Sequence, residues 1–260
     1  MRFFTENIVD GDVSFNSGAA ASGYDIDSLL NTNYSDVLYT SGASCSIDID
    51  LSVARNCNYI AIGNLYYDGT ISLLYGAADN GSDFDIYAFS AYDPTDYDPD
   101  YQRNLVKILS TSATKRYWRL TFNSWTTDNF LGIIFMGTYY DLPKNESYNF
   151  SRYYQENNQY DTMICLRKNW VQRRKVNYDG VNVMGLSEAN MLEILNEFHD
   201  NCNEMEYPFF FKGDVSGSGS TAGIDSLEKY HYSKFINRKL SFKILNDDYY
   251  SLNFNLVGQL

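Results

Sequence analysis

The residues of this chain that could carry chemistry fall mostly in one short stretch. Asp93, Asp96, Asp98 and Asp100 place four carboxylates close together, and hard oxygens at such spacing are the ligands a Ca²⁺ ion takes. The stretch lacks the glycine and terminal glutamate of an EF-hand loop, and Pro94 and Pro99 stiffen it. An acidic loop without a ligand is therefore the simpler reading, and Ca²⁺ is the one cofactor the sequence suggests. Tyr66, Tyr67, Tyr92 and Tyr97 offer flat rings on which a sugar could stack. Burial in a core, or contact with another subunit, explains the same residues equally well.

Catalytic constellations are not apparent. The two histidines, His199 and His231, belong to different elements, and each is read as a surface or interface residue. No nucleophile elbow, phosphate-binding glycine loop or dinucleotide fingerprint occurs. A glycosidase-like carboxylate pair would be recognisable only from geometry. The expectation is a binding or structural protein with no catalytic residues. Cys45, Cys57, Cys165 and Cys202 show neither CxxC nor metal-ligand spacing, so buried free thiols are expected.

The elements that must position these residues read as strands. Ile47, Ile49 and Leu51 alternate with Asp48 and Asp50, the period of a strand with one face buried. Short strands are expected at 59–62, 71–75, 84–89 and 105–109. Trp118, Leu120 and Phe122 then alternate, and the apolar run 131–136 reads as an inner strand. About seven strands before Leu142-Pro143 suit an antiparallel β-sandwich, with residues 1–46 rich in loops. Leu142-Pro143 reads as a domain exit, dividing the chain into 1–143 and 144–260.

In the second part, Asp179-Gly180 within Lys175–Val183 reads as the turn of a hairpin. Ser187 is an N-cap, and Met191, Leu192, Ile194, Leu195 and Phe198 predict one helix over 188–202 with a broad apolar stripe. Strands are expected at Phe209–Phe211, Leu240–Ile244 and Tyr250–Leu256. The fold class is thus mainly β: a jelly-roll sandwich followed by a β-rich α+β domain with one central helix.

The net charge of −13 is concentrated in residues 1–143, where 18 acidic against 7 basic residues give −11. Residues 144–260 hold 15 acidic and 13 basic, giving −2. Such a first half would repel nucleic acid and anionic lipid. No apolar run reaches membrane-spanning length, and the early charge in Met1-Arg2 does not suit a signal peptide. Neither nucleic acid nor membrane insertion is expected.

Several segments carry a resemblance. "SIDIDLSVARNCNYIAIGNL" (46–65), "RYWRLTF" (116–122) and "LGIIFMGTYYDLP" (131–143) resemble, in order and pattern, the discoidin-like, galactose-binding-like β-sandwich. Over about 147–260, "LSEANMLEILNEF", "PFFF" and "KLSFKILNDDYYSLNFNLVGQL" resemble the structural domain of distal-tail and minor tail proteins of tailed bacteriophages. Together these imply a virion tail component, assembled in the host cytoplasm. Its partners would be other tail proteins in a homo-oligomeric ring. The alternative is an adhesin module that recognises host surface glycans.

Overall fold

The computed structural model describes residues 2–9, 12–33, 36–67, 69–77, 85–90, 104–143, 151–162, 168–202, 205–212, 231–236, 240–246 and 249–258. Its first elements are β1 (Arg2–Phe4), β2 (Asp12–Ser17), a 3-10 turn (Ile26–Leu30), β3 (Leu38–Tyr39), β4 (Cys45–Ile62), β5 (Thr70–Gly76) and β6 (Asp85–Ser90). β7 (Leu105–Phe122), β8 (Phe130–Leu131), β9 (Ile134–Gly137), β10 (Tyr140–Asp141), β11 (Ser151–Thr162) and β12 (Lys168–Leu186) follow. The chain continues through helix α1 (Glu188–Asn201), β13 (Phe209–Lys212), β14 (His231–Phe235), β15 (Ser241–Asn246) and β16 (Tyr249–Gly258). The fold is mainly β with antiparallel sheets, and α1 is the one α-helix among the described residues. No helix there is long and apolar enough to cross a membrane.

The first sheet runs β2-β4-β7-β5-β6, with β9 also paired to β4. The strands expected at 47–51 and 59–62 are one strand, β4, and those at 105–109 and 118–122 are likewise one, β7. Register shifts between Asp50 and Arg55, beside left-handed Ser52 (φ 62°), let the long pair bend without breaking. Ile47, Ile49, Leu51, Trp118, Leu120 and Phe122 are buried, as their alternation requires. Leu29, Leu38, Trp125, Leu131 and Met136 belong to the same core. Residues 1–46, read as loops, in fact supply three strands, because short strands such as Arg2–Phe4 hold too few residues to show a period.

The second sheet runs β10-β1-β13-β14-β16-β12-β11, with β15 on β16. β1 lies between β10 and β13, pairing Phe3 with Tyr140 and with Phe211. The chain's first strand is therefore an inner strand, second from the edge, of a sheet built mostly from the second half of the chain. Phe3 packs edge-on against Phe198 at 5.0 Å and lies 5.6 Å from Phe209. A third cluster joins the two cores: Phe4, Tyr59, Ala61, Val106, Ile133, Phe135, Phe210 and Tyr232. The division drawn at residue 143 is crossed by these contacts and by the position of β1.

Two local expectations are corrected. Asp179-Gly180 does not turn the chain; β12 runs straight through it. Gly180 takes its left-handed conformation (φ 69°) within a bulge where the register to β16 shifts between Tyr178 and Val181. Its N–H donates to Asn255 Oδ1 at 2.7 Å, so the sheet partner, not the dipeptide, decides the outcome. The helix stripe is narrower than expected. Ile194 and Phe198 are buried, but Leu192 is half exposed, because only one face of α1 packs on the sheet. Its start is as read: Ser187 Oγ accepts from Asn190 N at 3.2 Å, closing a capping box.

The junction leaves no room at Gly63. A Cβ there would lie 2.8 Å from Ile133 Cγ1 and 3.0 Å from Phe210 Cζ. Gly63→Ala is expected to destabilise the protein by about 1–3 kcal/mol, the usual cost of overpacking, read as a lower midpoint in urea.

Candidate functional site

The site is built where three chain segments meet beside the first core, around the two-stranded β3–β8 pair. Leu65, Tyr66 and Tyr67 are extended, so alternation turns Tyr66 outward and its neighbours inward. Tyr66 N donates to Phe130 O at 2.8 Å, and β3 pairs Tyr39 with Phe130 on the other side. Phe130 thus stands between Tyr66 and Tyr39. The segment before β3 is tied back by Ala21 N donating to Tyr39 O at 2.9 Å, which places Tyr24 next in line. The ring centroids are 4.9 Å apart for Tyr24–Tyr39, 5.1 Å for Tyr39–Phe130 and 5.4 Å for Phe130–Tyr66.

The last pair is close to parallel, at 14°, so Tyr66 is held by stacking on one face. Tyr24 is 44 % and Tyr66 42 % exposed, and the two rings between them are half-buried. The result is a surface row of four aromatic rings. Beneath it, buried Trp125 donates from Nε1 to Thr40 Oγ1 at 2.7 Å, fixing the strand after Tyr39.

Polar groups frame the row. Asp36 accepts from Asn31 Nδ2 at 2.6 Å and from Asn33 Nδ2 at 2.9 Å, which closes the loop after the 3-10 turn. Asp25 caps that turn through Asp27 N at 3.1 Å. From the second sheet, Tyr232 donates its hydroxyl to Thr32 O at 3.1 Å. Tyr232→Phe is expected to lower stability by about 0.5–1.5 kcal/mol through loss of this one bond. A denaturant titration of the variant beside the wild type checks this.

Of the tyrosines singled out in the sequence, Tyr66 is in the row and Tyr67 is not. Tyr67 is buried, donates its hydroxyl to Thr70 O at 2.9 Å and to Asn123 O, and packs on Phe122 and Trp125. Adjacent residues of an extended chain cannot share a face, so both could not join one platform. Tyr92 and Tyr97 lie outside the described residues, as do Asp93, Asp96, Asp98 and Asp100. Among the described residues no three His, Cys, Asp or Glu side chains gather to hold a metal ion. Sequence reasoning missed Tyr24, Tyr39 and Phe130, which become neighbours only through strand pairing.

The outer face of the first sheet differs in character. Arg119 grips Asp48 through two nitrogens, and Arg116 grips Asp50 at 2.6 and 2.7 Å. Asp48 and Asp50, with Asp12, Ser14, Ile49, Tyr117 and Trp118, line a shallow groove of about 230 Å³. The hydrogen bond from Arg116 holds the Asp50 carboxyl below its ordinary range. A carboxylate whose pKa is depressed on folding stabilises the fold above the unfolded value and loses that contribution as pH falls through the folded one. Both side chains are partly exposed, so Arg116→Gln is expected to cost less than about 1 kcal/mol near neutral pH. That cost should shrink as pH falls through the lowered pKa of Asp50, which denaturant titrations across the acid range would check.

Of the remaining reactive groups, three cysteines are packed away, and so is His231, which the sequence reading placed on a surface or interface. His231 is buried with its ring 5.7 Å from Phe211 and 5.8 Å from Tyr178, while His199 is exposed on α1 beside Asp200. Cys45, Cys57 and Cys202 are free and buried, and burial pushes the first two thiols up to about 12 and Cys202 further. In a Cys165→Ser background, thiol reagents are expected to label the native protein only at its unfolding rate. Rapid labelling at pH 8 would contradict this burial.

No protein-family model matches the chain, and no curated protein matches it in sequence. Solved structures of similar outline are family 32 carbohydrate-binding modules and related domains. One is the Clostridium perfringens module CpGH89CBM32-6, at 18 % identity and a TM-score of 0.37 over 50 % of this chain and 98 % of its own. Another is the family 32 module of NanJ from C. perfringens in complex with galactose, at 13 % identity and a TM-score of 0.40, covering 54 % and 100 %. A third is chitosan-binding module 1 from a Paenibacillus sp. IK-5 chitosanase/glucanase, at 12 % and 0.37, covering 51 % and 99 %. Overlap this partial carries no argument about function, which rests on the site itself.

Proposed function

We propose that this chain is a carbohydrate-binding protein, not an enzyme, and that the row Tyr24–Tyr39–Phe130–Tyr66 receives the sugar. The observation that carries this reading is the outward Tyr66 ring, backed by Phe130 and open to solvent. A pyranose presents C–H bonds on one face and hydroxyls at its rim, which suits an aromatic plane with polar groups around it. Stacking fixes the ring beforehand, so little rotamer freedom is lost on binding. Isothermal titration with neutral and charged oligosaccharides tests the reading: binding lost on Tyr66→Ala supports it. A folded wild-type protein with no saccharide affinity would end it.

A second reading, a structural subunit of a phage tail that joins its neighbours, is favoured by a different observation. From Tyr153↔Asn177 to Thr162↔Lys168, β11 and β12 pair only with each other among the described residues. A two-stranded ribbon is marginal alone in water, so a second copy or another tail protein is its expected cover. In that reading the chain forms a ring in the virion and the aromatic row meets host glycans. Native mass spectrometry would show defined oligomers under this reading and a monomer against it.

A further inference from the structure

We infer that the aromatic row selects cationic, amine-bearing sugars and excludes anionic ones; this rests on the carbohydrate reading above and specifies its ligand. The inference comes from the charge around the row. The segments that build it, residues 19–41, 63–67 and 123–132, contain no Lys or Arg. Between residues 3 and 102, Arg55 is the only one. Within the same segments Asp25, Asp27 and Asp128 are exposed, and Asp36 is partly so.

Their placement is fixed by contacts already described. Asp25 follows Tyr24 and caps the 3-10 turn, so its carboxylate stays at that end of the row. Asp128 precedes Phe130 by two residues in the turn that enters β8. The Asp36 carbonyl oxygen lies 3.2 Å from where a Cβ on Gly132 would be, which sets this loop beside the strand that carries Phe130. Its carboxylate is held by two side-chain amides, donors that carry no charge to offset it. The segments that build the row therefore carry acidic side chains and no basic ones.

An exposed charge pair a few ångströms apart in water is weak, but several acting together on one bound cation change affinity by about fivefold to tenfold at low salt. An amine-bearing sugar keeps the apolar face needed for stacking and adds the charge these side chains attract. A uronic or sialic acid brings a carboxylate into the same field and is repelled.

The test uses the full chain and three oligomers of similar length: glucosamine, its N-acetylated counterpart and galacturonate. Titrations are run at about pH 6, where the amine is protonated. The expected order is glucosamine, then N-acetylglucosamine, then galacturonate, with the first two about fivefold to tenfold apart at ~20 mM salt. The gap should shrink to about twofold at ~0.5 M, where the screening length is a few ångströms. Asp25→Asn with Asp128→Asn should narrow it at low salt, chiefly through a loss of glucosamine affinity. Equal binding of glucosamine and N-acetylglucosamine, or tighter binding of galacturonate, overturns the inference and leaves the carbohydrate reading standing. Binding of none by the folded protein removes both.

Discussion

Replacing Tyr66 by alanine is expected to weaken saccharide binding by about tenfold to a hundredfold while leaving thermal stability nearly unchanged. Tyr66 is 42 % exposed, and its ring stacks on Phe130. Truncation therefore removes contact area from the ligand and the stacking contact with Phe130 from the fold. Stacking of a flat ligand on an aromatic ring contributes about 1–3 kcal/mol by alanine substitution, which is the stated range in affinity. Tyr67→Phe is the matched control. It deletes the hydroxyl that bonds Thr70 O and Asn123 O and should cost about 1–2 kcal/mol in stability with saccharide affinity retained.

Phe210→Ala is expected to give the largest loss of stability, about 3–5 kcal/mol, and to affect both halves of the chain together. Phe210 is fully buried on β13, opposite Phe4 of β1. Its ring meets Phe135 of the first sheet edge-on at 5.4 Å and Tyr232 of the second at 4.9 Å. Removing it opens a cavity where the two cores meet. Denaturant unfolding followed by near-ultraviolet dichroism should show one transition in the wild type, at a lower midpoint in the variant. Two separated transitions in the wild type would mean that the halves unfold independently and that the shared cluster couples them little.

Much of the fold was legible where local chemistry and tertiary pairing agree. Ile47, Ile49 and Leu51 alternate and are buried, and Ser187 caps the helix it was expected to cap. Legibility failed where pairing overrides the local signal. Asp179-Gly180 serves a hairpin turn and a bulge equally well, and only β16 on the neighbouring side decides between them. β1 was missed because three residues cannot display a period, and its partners lie about 140 and 210 residues away.

The site was partly readable for the same reason. Leu65-Tyr66-Tyr67 in an extended segment already implied that one tyrosine faces out and the other in. Nothing local joined Tyr24, Tyr39 and Phe130 to it, since these come from segments brought together by cross-strand contacts. The charge asymmetry, by contrast, was visible in the sequence and acquired a location only when the acidic segments were seen to build the row.

The most direct measurement is backbone amide chemical-shift mapping of the full chain as a bound oligosaccharide is titrated in. The largest shifts are expected at Tyr24, Tyr39, Tyr66 and Phe130 and in the loop held by Asp36, with the groove beside Asp50 and Tyr117 unchanged. Shifts confined to that groove or to the second sheet, or none at all at saturating sugar, would contradict the assignment of the aromatic row as the binding surface.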